Sequence, residues 1–258
     1  MKRVSIVIPA YNEEKRIEKT LEAYSRYFNG LLEERKLDYE ISVIINNTKD
    51  RTEEIVRKCL KKDKHIRYLN FERGGKGFAV IEGFKDALTR ENDLIGFVDA
   101  DMATGPEEYH RLIEGLGGYD GAIADRYHKD SKVFPPNTFR RIIVSRMFAL
   151  FTRALLFMPF KDTQCGAKLF RENVLRKVLP SMSMSQWAFD VDLLYQSIKK
   201  GFKIIPVATN WFDREYSKIN FWKAGPWMVL GIIRLRIIDS PFRRFIKIYD
   251  KFLGFIKK

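Results

Sequence analysis

The sequence predicts an α/β protein built on a mostly parallel sheet flanked by helices. Three observations predict it. Short apolar runs alternate with segments of helical periodicity over the first 125 residues, the mark of βαβ units. Four consecutive runs each end in a polar cluster rich in Asp, Asn, Glu or Gly. The chain has 258 residues, 45% of them hydrophobic, enough to bury one sizeable core, alone or with an extension.

The elements follow in order. Val4–Ile8 is an apolar run closed by Pro9 and reads as the first strand. Ile17, Leu21, Tyr24, Phe28 and Leu31 then recur at helical spacing. Ile41–Ile45 is the second strand. Asp50, with Glu53 three residues on, resembles a capping box, and Ile55, Val56, Cys59 and Leu60 give the helix it opens an apolar face. Ile66–Asn70 is a weaker third strand, Phe78, Ile81, Phe84 and Leu88 mark another helix, Leu94–Val98 is the fourth strand and Gly121–Ala124 the fifth. After residue 125 the pattern changes: a break at Pro135-Pro136, an amphipathic basic stretch over 139–158, a helix over Trp187–Ile198 and a late strand over Lys203–Ala208. These divide the chain into a body over 1–220, with an interface helix at about 139–158, and a basic amphipathic extension over 221–258.

The charge is unevenly placed. Lys and Arg number 47 and Asp and Glu 33, a net charge of +14. Residues 126–161 hold eight Lys or Arg and one acid, and residues 214–258 hold eleven and three, so these two stretches carry the whole excess. Both are also rich in Phe, Leu, Ile and Met. Basic charge interleaved with apolar side chains on a neutral body points to a membrane surface. A nucleic-acid backbone competes for the charge but does not need the apolar groups, so nucleic acid is not an expected partner. A spanning helix needs about 20 apolar residues. Lys223, Arg234 and Arg236 interrupt one candidate, and Arg146 and Arg153 the other. The expectation is peripheral attachment to the cytoplasmic face of the cell membrane, with no transmembrane helix. Cys59 and Cys165 are too few for a disulfide framework or a Cys-rich zinc site, and His65, His110 and His128 lack metal spacing. The chain start runs straight into a strand, with no apolar stretch of signal-peptide length.

Parallel sheets bind ligands beyond the carboxyl ends of their strands. Those ends carry Pro9-Ala10-Tyr11-Asn12-Glu13, Asn46-Asn47-Thr48-Lys49-Asp50, Gly74-Gly75-Lys76-Gly77 and Asp99-Ala100-Asp101. In an extended segment residues i and i+2 point to one side, so Asp99 and Asp101 would repel unless a cation lies between them. Mg2+ or Mn2+ takes oxygen ligands and shares them with substrate phosphates, which makes this pair the candidate metal and diphosphate site. The bland alternative is an acidic turn. The glycine-rich segment could cradle phosphate or be a flexible loop at a helix start. It fails the P-loop pattern, because Gly77 stands where Ser or Thr belongs, and fails the dinucleotide fingerprint at Val80.

These motifs, in this order, resemble family 2 glycosyltransferases of the GT-A (Rossmann-like) fold. Asp162-Thr163-Gln164-Cys165-Gly166-Ala167-Lys168-Leu169-Phe170, followed by Trp187-Ala188-Phe189-Asp190-Val191-Asp192, resembles the branch that transfers glucose or mannose to dolichyl phosphate. Asp99-Ala100-Asp101-Met102-Ala103-Thr104 leans to the glucosyl side. The resemblance implies an inverting, metal-dependent hexosyltransferase acting in protein glycosylation, with a nucleotide-sugar donor (UDP-glucose favoured), a polyprenyl or dolichyl phosphate acceptor, and Mg2+ or Mn2+ as cofactor. It implies donor contacts from Pro9, Ala10, Tyr11, Glu13, Asn46, Asp50, Lys76, Gly77, Asp99, Ala100 and Asp101, with Asp99 and Asp101 as metal ligands. Asp101, Asp190 and Lys168 are the expected catalytic group. Two departures stand out: the family usually has a second acidic residue before Asp50, where this chain has Asn46 and Asn47, and Ala167 replaces a usual aromatic, implying a wider pocket.

On a helical wheel Asp190 falls near the stripe of Trp187, Val191, Leu194 and Ile198, whereas Asp192 falls opposite. A phosphate acceptor, with a second pKa near 6, is largely ionised at neutral pH and hardly needs a base. Asp190 is therefore expected to position basic groups or the acceptor. Arg126, Arg140 and Lys168 are the expected grip on the acceptor phosphate, Arg for its fork geometry. Trp211 and Phe212 line the acceptor mouth or pack in the core. The competing readings are a GDP-mannose-dependent enzyme, a family 2 transferase with a soluble acceptor, and a non-catalytic basic protein binding nucleic acid or membrane.

Overall fold

The structure, a computed structural model, describes residues 1–135, 139–183, 188–212 and 221–256. The first half follows the expected alternation: β1 (Arg3–Ala10), α1 (Ile17–Glu33), β2 (Asp38–Asn46), α2 (Thr52–Lys62), β3 (Ile66–Phe71), α3 (Lys76–Ala87) and β4 (Leu94–Val98). Then come α4 (Pro106–Gly115), β5 (Gly121–Asp125), β6 (Lys132–Phe134), α5 (Phe139–Leu156), β7 (Ala167–Arg171), α6 (Glu172–Val178), α7 (Phe189–Lys199), β8 (Ile204–Ala208), β9 (Asn210–Phe212), α8 (Phe221–Ile238) and α9 (Ile246–Ile256).

The main sheet has seven strands in the order β3-β2-β1-β4-β7-β5-β8. All run parallel except β7, which pairs antiparallel with both β4 and β5. The sheet is buried on both faces, which is why its strands read as continuous apolar runs. Val4, Ile6 and Ile8 of β1 pack into a cluster with Leu21 and Tyr24 of α1, Val56 of α2 and Leu112 of α4. Val7 faces the other cluster, with Val80 and Phe84 of α3, Leu175 of α6 and Val191 of α7. Helix α3 lies close on β1: a methyl group on Gly83 would stand 2.4 Å from Val7 Cγ1.

The chain steps outward from β1 through β2 to β3, then returns to place β4 on the other side of β1. That reversal opens a crevice between the carboxyl ends of β1 and β4, where such sheets bind ligands. The segments after both strands are motif residues, Tyr11–Glu13 and Asp99–Asp101.

Several expectations need correction. The capping box at α2 is only half formed: Asp50 Oδ1 accepts from Thr52 N at 3.0 Å, but Glu53 turns away to Arg57 and Asn70. Strand β7 is an unforeseen insertion in the middle of the sheet. Ala167 on β7 is fully buried in the cluster beneath α1 and α4, so its small side chain widens no pocket. Asp192 does not face outward. It is fully buried, accepting from Ser183 N at 2.7 Å and Gln196 Nε2 at 3.2 Å, because α7 is covered on the side the wheel left open. Trp187 lies outside the described residues.

The segment from 221 packs on the body through α8. Ile232 and Leu235 of α8 belong to the same core cluster as Phe189 and Val191 of α7 and Leu156 of α5. Among the described residues no helix is long and apolar enough to cross a membrane.

Candidate active site

The acidic loop after β4 is held from three directions. Thr20 Oγ1 of α1 donates to the Ala100 carbonyl at 2.7 Å, and Tyr24 Oη to that of Thr104 at 2.9 Å. Asp101 Oδ1 accepts from Ala103 N at 2.9 Å, folding the loop back on itself. The backbone N–H of Asp99 donates to the Gly166 carbonyl at 3.0 Å. Gly166 has to be glycine: a Cβ there would lie 2.0 Å from Asp99 Oδ2. The Asp162–Phe170 segment is thus the back wall of the acidic site.

Asp99 Oδ1 is bonded to Lys76 Nζ at 2.6 Å, the lysine that opens α3. Burial alone would disfavour the lysine's charge, but Asp99, Asp190 and Asp101 together raise its pKa above the ordinary value. Burial, then the neighbouring charge of Asp99, pushes the Asp101 carboxyl up. Two crowded carboxylates of this kind are a donor set that suits a hard divalent ion whose other ligands come from phosphate and water. Among the described residues no group of three or more His, Cys, Asp or Glu is placed to hold a metal, so a cation here depends on such outside ligands.

The other walls are braced by residues expected on the nucleotide. Asn46 is almost fully buried, its Nδ2 donating to the Ala10 carbonyl at 3.0 Å and its Oδ1 accepting from Gly75 N at 3.0 Å. It shapes the cradle through backbone and offers no open edge to a base. Gly75 adopts φ 125°, the turn that lets the loop enter α3, and Gly77 is buried in its first turn. The amino end of α3, a favourable anion-binding pole, so lies beside Lys76. Asp50 ties the loop after β1 to α2, its Oδ2 accepting from Glu14 N at 3.1 Å. Glu13 holds Arg16 through two bonds of 2.6 Å. Pro9 and Ala10 are buried at the end of β1, whereas Tyr11 beyond them is exposed.

Behind the acidic pair is a second ion pair. Lys168 is 0% exposed, its Nζ bonded to Asp190 Oδ1 at 2.5 Å and to the Cys165 carbonyl at 2.7 Å. It does not stand open to an acceptor, because β7 carries it into the middle of the sheet. Lys168 and Lys76 both stand over the Phe97 ring, at 5.2 and 5.4 Å from its centroid. Asp99–Lys76 and Asp190–Lys168 are therefore neighbouring pairs that share contact with one aromatic ring. The Cys165 thiol is pushed up to about 12 by burial, which makes it inert.

A third pair closes the far side. Arg126 meets the carboxylate of Asp162 through Nε at 2.7 Å and Nη2 at 2.9 Å, with its backbone N–H at 3.1 Å. Burial would raise the Asp162 carboxyl, but the Arg126 charge and these bonds outweigh it and hold the pKa below the ordinary value. The guanidinium is 5.2 Å from the centroid of the Trp211 ring. Trp211 is a core residue, while Phe212 is exposed and stacks on Phe134 at 5.5 Å. Arg140 lies on α5, but its side chain is outside the described residues. The pairing of Arg126 with Asp162, 36 residues away, had no signal in the sequence, and neither did the support from Thr20 and Tyr24.

The family model for glycosyl transferase family 2 matches residues 5–179, which spans every strand of the acidic site. The chain belongs to that family. Among curated proteins it is 32% identical to a dolichyl-phosphate beta-glucosyltransferase of Dictyostelium discoideum, over 90% of this chain and 73% of that one. It is 31% identical to the Homo sapiens protein of the same name, over 94% of this chain and 78% of the relative. Among solved structures it resembles glucosyl-3-phosphoglycerate synthase from Mycobacterium tuberculosis in complex with Mn2+, UDP and phosphoglyceric acid, with a TM-score of 0.66 at 19% identity, covering 92% of this chain and 78% of that one. It also resembles a mannosyltransferase from Pyrobaculum calidifontis in complex with GDP-Man and Mn2+, with a TM-score of 0.64 at 17% identity, covering 96% and 68%. These two share the fold, and the GT-A arrangement expected from the motifs is the one observed. The chain is a family 2 glycosyltransferase.

Proposed function

We propose that this enzyme moves a hexose, glucose from UDP-glucose in the favoured reading, onto a polyprenyl phosphate at a membrane surface, with inversion at the anomeric carbon. The observation that carries the reading is the acidic pair seated at the switch point by Gly166, with Lys76 bonded to Asp99. The relatedness to dolichyl-phosphate beta-glucosyltransferases supports the acceptor class and the sugar.

In this reading Asp99 and Asp101 would hold Mg2+ or Mn2+, which when bound supplies electrostatic stabilisation of the leaving diphosphate. Lys76 and the amino end of α3 add positive potential on the same side. Tyr11 lines the nucleotide end, on a cradle whose shape is set by Asn46, Asp50 and Gly75. One displacement follows: an acceptor phosphate oxygen forms its bond to the anomeric carbon while the bond to the diphosphate oxygen breaks. The acceptor needs no base, since it is already anionic. Asp190 therefore works by fixing Lys168, and the pair sets the floor on which the sugar and acceptor meet. Arg126 and Arg140 are the proposed acceptor-side cations, with Arg126 steadied by Asp162.

The lipid stays in the bilayer, so the enzyme must come to it. Met147 and Leu150 of α5 are 65% and 66% exposed, and Phe242 and Ile248 near the chain end are 61% and 67% exposed. Arg146, Arg153, Arg243, Arg244 and Lys247 are exposed among them. Apolar side chains interleaved with cations suit an anionic bilayer surface.

The test is a panel of UDP- and GDP-sugars with Mg2+ or Mn2+, offered a short polyprenyl phosphate or soluble phosphorylated acceptors, with products identified by mass spectrometry. A β-glucosyl polyprenyl phosphate from UDP-glucose is expected. A product made only from GDP-mannose would move the donor assignment, and one formed only on a soluble acceptor would overturn the lipid.

A further inference from the structure

Lys76 occupies a place that a cation would otherwise want. Its ammonium is bonded to Asp99 at 2.6 Å and stands 5.4 Å from the Phe97 ring centroid, the ring it shares with Lys168 of the Asp190–Lys168 pair. Gly166 closes one side of that carboxylate to within a methyl group, and Lys76 closes another. A divalent ion of this class wants about six oxygen ligands, of which Asp99 and Asp101 offer two. An ion arriving alone would have to displace a bonded ammonium from Asp99 and would gain few protein ligands for it. An ion arriving with a diphosphate brings oxygens of its own and presents Lys76 with a second anion.

We propose that Lys76 is a placeholder on Asp99, keeping the acidic pair neutralised until a nucleoside diphosphate brings the divalent ion and draws the lysine onto its phosphates. The inference rests on the reading of this crevice as the donor site. Its consequence is coupling: cation and diphosphate each strengthen the other's binding, and Lys76 sets by how much. Lys76 is then a positioning residue that orders loading, beyond any contact it makes with the donor.

The experiment titrates Mn2+ into the full chain, followed by the Mn2+ electron paramagnetic signal, with and without UDP, for wild type, Lys76→Gln and Lys76→Arg. Wild type should bind Mn2+ weakly alone and about tenfold or more tighter with UDP. Lys76→Gln should bind Mn2+ alone about tenfold tighter than wild type, and the gain from UDP should shrink correspondingly. Lys76→Arg, which keeps a cation on Asp99, should restore the wild-type pattern. Circular dichroism checks that each variant is folded, as expected for a side chain that reaches the surface. If wild type shows the UDP gain but Lys76→Gln binds Mn2+ alone no better than wild type, the placeholder is overturned and the donor site stands. If wild type shows no UDP gain, the donor reading falls and the placeholder with it.

Discussion

The Asp99 carboxylate rests against the α-carbon of Gly166, so closely that a methyl group there would lie 2.0 Å from Oδ2. Two motifs 67 positions apart are thereby packed as one structure. Gly166→Ala should displace Asp99, lowering activity by about a hundredfold or more, because an ångström of misplacement at a reacting centre costs that much. Steady-state kinetics check this, with thermal melting to show that the chain still folds. Activity within a few-fold of wild type would mean that the Asp99 position is not critical.

The buried pair of Lys168 and Asp190 yields a prediction about stability. Lys168→Met leaves a carboxylate without its cation in the core and should cost about 3–5 kcal/mol. The double variant Lys168→Met, Asp190→Leu should recover a large part of that loss, because it is the orphaned charge that is expensive. Urea denaturation of the single and double variants measures both. A double variant no more stable than the single would show that the pair is not what the site is protecting.

Much of this architecture was legible in the sequence, and what was hidden has physical reasons. β1, β2 and β4 are buried on both faces and so announce themselves as unbroken apolar runs. β7 did not, because Lys168 interrupts its run, and the charge is tolerable there only because Asp190 comes from another element to meet it. β6 and β9 are three residues each, too short to leave a pattern. The strand-end clusters were visible, but whether each side chain faces a ligand or braces the wall was not. Asn46 looks like a ligand contact by position and is a brace by geometry, since its partners are backbone groups of Ala10, at the end of β1, and Gly75, at the start of α3.

The pairing of Asp162 with Arg126 carries a pH signature. The Asp162 carboxyl titrates below its ordinary value in the folded chain. Its stabilising contribution is therefore complete above the unfolded value, about 4, and is lost as pH falls through the lower folded value. Asp162→Asn should melt lower than wild type by a constant margin between about pH 5 and 8. That margin should narrow in more acidic buffer. Differential scanning calorimetry across this range checks it, and a margin that widens on acidification would reverse the sign.

The exposed apolar side chains set the membrane prediction. Met147→Glu with Leu150→Glu, and separately Phe242→Glu with Ile248→Glu, should each weaken binding to vesicles containing anionic lipid about tenfold or more, since each replaces a buried apolar contact with a repelled charge. UDP binding should be unchanged, because none of the four lines the crevice. Point changes are preferred to removing 221–258, which would take Ile232 and Leu235 out of the core. Vesicle sedimentation gives the readout, and full retention of both variants would count against this surface.

The most direct test of the central claim follows radiolabelled sugar from UDP-glucose into the lipid phase of vesicles that contain polyprenyl phosphate. It uses wild type and Asp101→Ala, with Mg2+ or Mn2+ or with a chelator. Label should enter the lipid only with the divalent ion, in β linkage, and fall by about a hundredfold or more in Asp101→Ala. Transfer that proceeds equally in the chelator or in Asp101→Ala, or no transfer to lipid from any nucleotide-sugar, would contradict it.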